Sequence, residues 1–170
     1  MAGWIVLALW MSRDSSAVHA TGFDHVRSAE SEIRVLIAEG YARSATFRQL
    51  VDTTEALPCI VYIATVVKLS QRMNGALLHE AAGRRDAPIL RILLKTNLSR
   101  EEAIAVIGHE LQHVFEFVSQ RPAAGGDEFE AAFDALDPRA RAAGDRTYET
   151  DAAVVVTTKI RDELRRSPRR

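Results

Sequence analysis

The run His109-Glu110-Leu111-Gln112-His113 reads H-E-x-x-H, and it constrains this chain more than any other feature. Residues four apart share one face of a helix, about one turn apart. On a helix, His109 and His113 point two imidazoles at one place, and Glu110 lies on the flank of that face. Two imidazoles and a flanking carboxylate suit a zinc ion and its water.

The surrounding sequence predicts that helix. Ser99 followed by Glu102 matches the S-x-x-E capping box, and Glu101 and Glu102 suit the positive end of a first turn. At 100° per residue, Ile104, Ile107, Leu111, Val114, Phe115 and Val118 gather on one side. His109, His113 and Glu116 gather on the other. Three fixed letters over five positions arise by chance in roughly one chain of this length in a few hundred, so the opposed faces carry the argument. The bland alternative is a solvated face that happens to hold two His.

A catalytic zinc site needs a third protein ligand. The extended pattern with Gly and a third His fails, because those positions are Glu116 and Ser119, and the other His (His19, His25, His79) lie upstream. A carboxylate from a later helix is the other solution. The segment from Tyr148 to Leu164 reads as that helix, with Asp145 or Thr147 as its cap. On a wheel, Glu149 shares a face with Ala152, Ala153, Val156 and Ile160, where an unpaired carboxylate is costly. Glu149 is therefore the expected ligand and Asp151 the reserve. Tyr148 is either an oxyanion donor or an aromatic packed at a helix start.

The set His109-Glu110-x-x-His113 with Glu149 resembles the gluzincin zinc metallopeptidases, in their minimal bacterial forms. The run from a strand through G-H-E-L-Q-H to Y-E-T-x-A-A is also similar to small bacterial proteins of uncharacterised function. The likeness spans roughly Phe47 to Leu164. It implies zinc held by His109, His113 and Glu149, with Glu110 as general base in peptide hydrolysis. It implies that Pro88 to Lys95 is the edge strand above the cleft, free to pair with a bound peptide. Where some of these enzymes carry Asp, four residues after the ligand Glu, this chain has Ala153. Glu116 is placed to support a His in its stead.

The expected architecture is α+β: a small zincin-like domain with a short, mostly antiparallel sheet of about three strands. That sheet packs on the H-E-x-x-H helix and a C-terminal ligand helix. A chain of 170 residues with 47% hydrophobic content can bury one real core. Phe23 to Glu39 reads as a helix ended by Gly40, and Ser44 to about Ala56 as a second. Cys59 to Val67, Gly75 to Ala82 and Pro88 to Lys95 read as strands, and Glu128 to Leu136 as a short helix between loops. His79 falls in a strand and reads as structural.

The net charge of −1 argues against nucleic-acid binding. Cys59 is the only cysteine, which excludes an internal disulfide and a Cys-based zinc site. It reads as a buried thiol. Residues 1–20 read as a secretory signal or as an apolar N-terminal segment, residues 21–166 as one domain, and 167–170 as a basic tail. A signal implies export to the periplasm or beyond, and no stable membrane insertion after its removal. Without a signal the chain is cytoplasmic. The expected function is zinc-dependent hydrolysis of a peptide or protein substrate. The alternative is a non-catalytic metal-binding or protein-interaction domain on the same scaffold.

Overall fold

The computed structural model describes residues 22–69, 73–84, 87–120 and 149–167. Along these residues the elements run β1 (Val26–Arg27), α1 (Ser31–Arg43), α2 (Ala45–Glu55) and β2 (Ile60–Val66). There follow β3 (Gly75–Arg84), β4 (Ala87–Lys95), α3 (Arg100–Gln120) and α4 (Asp151–Arg166). The class is α+β, as expected. The expected short helix at 128–136, the N-terminal segment and Tyr148 lie outside the described residues. No helix among the described residues is long and apolar enough to cross a membrane.

The sheet corrects the expectation of about three mostly antiparallel strands. It is mixed and has four described strands in the order β1-β2-β4-β3. β1 runs parallel to β2, β2 parallel to β4, and only β3 is antiparallel, against β4. The chain passes from β2 beyond the place of β4, lays down β3, and returns.

β4 is therefore an interior strand, not the free edge expected of it. Its near-continuous apolar run, Ile89-Leu90-Arg91-Ile92-Leu93-Leu94, suits a strand paired on both sides. Leu90, Ile92 and Leu94 are buried, and Leu90 and Ile92 stand in register with the buried Val61 and Ile63 of β2. Period-two alternation puts all five on the helix side, where they form the floor of the core. Among the described strands the two edges are β1, only two residues long, and β3.

α3 is the hub of the fold and touches α1, α2, α4, β3 and β4. Ile104, Ile107, Leu111, Val114 and Phe117 are fully buried along it. Phe115, expected in the apolar stripe, is an exposed aromatic, and Phe117 fills the core instead. The opposite wall is not solvated either. Glu110, His113 and Glu116 are all buried, because α4 and β3 cover that side.

The first helix begins at Ser31 rather than near Phe23. The backbone N–H groups of Asp24, His25 and Val26 are gathered by the Glu55 carboxylate at the end of α2, at 2.8–3.1 Å. Val26 and Arg27 then pair with β2. These tertiary partners hold 24–27 extended. α2 starts as expected: the Ser44 side chain accepts from the Phe47 N–H at 3.0 Å.

Gly40 does not end α1; it lies inside the helix. A Cβ there would stand 2.7 Å from Ile104 Cγ2 and 2.9 Å from the Phe47 ring. The glycine lets α1 approach α2 and α3 closely. Gly40→Ala is expected to destabilise by about 1–3 kcal/mol through overpacking, against a helix-propensity gain of at most ~1 kcal/mol. A lowered urea midpoint at unchanged m-value would show this, and a raised midpoint would contradict it.

Candidate metal centre

α3 brings His109 and His113 onto one face, as their spacing requires. Their Nε2 atoms lie 3.1 Å apart, with the rings nearly perpendicular at 82°. Glu149 reaches the same place, with Oε1 3.4 Å from His109 Nε2. One ligand atom from each of the three residues falls within 4.8 Å of the others. Asp151 is exposed in the first turn of α4 and stands outside this group.

Both imidazoles have their Nδ1 atoms engaged. His113 Nδ1 donates to Glu116 Oε2 at 3.0 Å, and His109 Nδ1 lies 2.9 Å from Thr157 Oγ1. Burial, with the neighbouring His113, lowers the His109 pKa to about 4, so its ring is neutral at pH 7. With the proton on Nδ1, each Nε2 lone pair is bare and aimed at the other ring. Two such lone pairs repel unless a cation lies between them. A tetrahedral zinc with bonds of about 2.0–2.1 Å separates its ligand atoms by roughly 3.3–3.4 Å. The two spacings to His109 Nε2, 3.1 Å from His113 and 3.4 Å from Glu149, are close to that separation.

Glu149 arrives by a different route from the one its helix wheel suggested. It precedes α4 instead of riding on it. Thr150 is the N-cap, in extended conformation (φ −114°, ψ 148°), and its side chain accepts from the Ala153 N–H. The buried side of α4 is Ala153, Thr157, Ile160 and Leu164, and the Glu149 side chain is 54% exposed. Its carboxyl is raised above the usual range, first by partial burial and then by Glu116, against the pull of His113 and the Thr150 N–H. A cation at this place would offset both effects and favour the carboxylate.

Glu116 supports His113, the role expected of it. Burial raises its pKa, but hydrogen bonds from His113, Gln112 and Thr150 outweigh that and hold it low. Gln112 Nε2 donates at 2.9 Å and Thr150 Oγ1 at 3.0 Å. This carboxylate is thus fixed and charged behind the imidazole.

Glu110 is buried, and burial pushes its carboxyl up to about 7; Glu149 adds to the effect and His113 opposes it. Its Oε1 lies 2.6 Å from where a Gly75 Cβ would stand, and Val106 Cγ1 lies 2.5 Å from that point. Gly75, read from sequence as a turn signal, is where the edge strand β3 passes against this carboxyl group. Gly108 plays a like part on the other flank: a Cβ there would meet Ile160 Cδ1 at 2.2 Å. That contact, with Ala153, brings α4 onto α3.

Thr150, Thr157, Gln112, Gly75 and Gly108 were not singled out as site residues from sequence. Thr157 carried a legible signal, a polar residue one turn after Ala153 on an otherwise apolar helix face. The glycines carried none, since their partners lie in other elements. No family model, curated protein or solved structure matches the chain.

Proposed function

We propose that this protein is a zinc-dependent hydrolase of zincin type that cleaves peptide bonds. His109, His113 and Glu149 hold the zinc, and Glu110 is the general base. One observation carries this reading: two imidazoles with backed Nδ1 atoms converge on a carboxylate beside a buried, proton-ready carboxyl group. Two nitrogens and one oxygen suit zinc, with a position left for water or substrate.

Zinc bound there supplies Lewis acidity and water of lowered pKa, around 7. The chain's own groups do the rest. Glu110 takes the proton of the attacking water and returns it to the leaving amine. A carboxyl tuned near 7 suits both transfers at neutral pH. Glu116 and Thr157 keep the two imidazoles in register. The β3 edge offers backbone N–H and C=O groups to an extended substrate, and Gly75 lets that strand pass close against Glu110. This role passes to β3 because β4 has partners on both sides.

Protein purified without a His tag is expected to contain about one zinc per chain and to cleave members of a broad peptide library. Chelation is expected to abolish cleavage, and added zinc to restore it. Absence of zinc would overturn the reading. Stoichiometric zinc without cleavage of any peptide would leave a metal-binding domain without turnover. A side chain at Gly75 provides a finer check. Gly75→Ala should keep the zinc and lower turnover by about 10²-fold, the cost of a displacement near 1 Å at a reacting group. Unchanged turnover would show that Glu110 is not confined by β3.

A further inference from the structure

We infer that Thr157 is the positioning residue for His109, and that its neutral hydroxyl makes His109 the weaker of two unequal histidine ligands. The inference rests on the His109–His113–Glu149 reading above. Ala153 brings no side-chain acceptor to this ring, and Thr157, on α4, faces it from across the helix pair.

A hydroxyl has one proton to give. That of Thr157 goes to the Ala153 carbonyl, at 2.7 Å. Towards His109 the same oxygen can then only accept. The imidazole must therefore carry its proton on Nδ1, which leaves Nε2 bare for a metal. The tautomer of His109 is thus dictated by α4, the segment that follows the ligand Glu149.

His113 is held in the same tautomer by a different acceptor. Glu116 is a carboxylate, fixed by Gln112 and Thr150 as well as by the ring. A charged acceptor draws the Nδ1 proton and makes Nε2 the stronger donor to a metal; a hydroxyl does so less. His113 is then the firm anchor, with its support starting on its own helix. His109 depends on the docking of α4, and its grip depends on one buried hydroxyl.

The test uses the full chain, with zinc and cobalt(II) as probes. Thr157→Val keeps the shape but has no hydroxyl, and Thr157→Ser keeps the hydroxyl. Zinc affinity, from competition with a chromophoric chelator, should fall about 10–100-fold in Thr157→Val and stay near wild type in Thr157→Ser. The cobalt(II) ligand-field spectrum should change only in Thr157→Val. The thermal midpoint of each metal-free protein separates a loss of fold from a loss of affinity. If Thr157→Val holds zinc as tightly as wild type, the inference fails. It fails equally if Thr157→Ser binds as weakly as Thr157→Val. If wild type binds no zinc, the metal centre itself is refuted, a result distinct from either.

Discussion

Glu110→Gln is expected to keep its zinc and to hydrolyse peptide about 10²–10⁴-fold more slowly than wild type. Gln has the size and the hydrogen-bonding atoms of Glu but cannot accept the proton. The residue is one step from His109, about 100° around α3, so it flanks the ligand set without belonging to it. A pH dependence follows from the same group. Burial places the Glu110 carboxyl at about 7 in the metal-free fold, and only the deprotonated form can act as base. Turnover should therefore rise with pH through an acid limb that belongs to Glu110. Bound zinc, as a nearby cation, moves that limb to lower pH. Metal-free stability carries the opposite sign. A carboxyl whose folded pKa is raised above its unfolded value of about 4.3 favours the fold at low pH. That contribution is lost as pH rises through about 7. Equal turnover in wild type and Glu110→Gln would remove Glu110 from the mechanism.

His113→Ala is expected to cost the metal, and with it all hydrolysis. His113 is buried and charge-backed by Glu116, whose carboxylate is itself held by Gln112 and Thr150. Losing an outer partner of a ligand typically weakens a site about 10–100-fold, so losing this ligand should weaken it more. The substitution also leaves Glu116 buried beside a void, with one of its donors gone, and so lowers stability as well. Chelator competition on the folded variant separates the two effects. Full zinc occupancy in His113→Ala would refute the ligand set. Full occupancy in Glu149→Ala, with loss in Asp151→Ala, would shift the third ligand to Asp151, although the exposed position of Asp151 in α4 opposes that outcome.

Much of the site was legible because its core is local. Two His four apart on a helix must share a face, and the Ser99 cap and the apolar spacing were enough to place that helix. The partner of His113 was legible for the same reason, since Glu116 is one turn away on α3. The Ser44 cap and the stretches forming β2, β3 and β4 are equally local signals. Glu149 was reached on a helix-face argument that the structure replaces: it precedes the Thr150 cap and approaches His109 from outside the helix.

By itself, then, the sequence determined what hydrogen bonds and side-chain periodicity settle within about one helical turn or one strand: most of the elements and the two-His face, but not β1 or the start of α1. Tertiary structure alone decided that β4 lies inside the sheet and that β3 lies outside it, at one edge. It also decided that the polar wall of α3 is buried and that Thr157 backs His109. Strand order depends on which pairings bury the most apolar surface once the chain is closed. The contacts of Gly75 with Glu110, and of Gly108 with Ile160, are close approaches between residues distant in sequence. No pattern confined to one element records where its neighbour will pass.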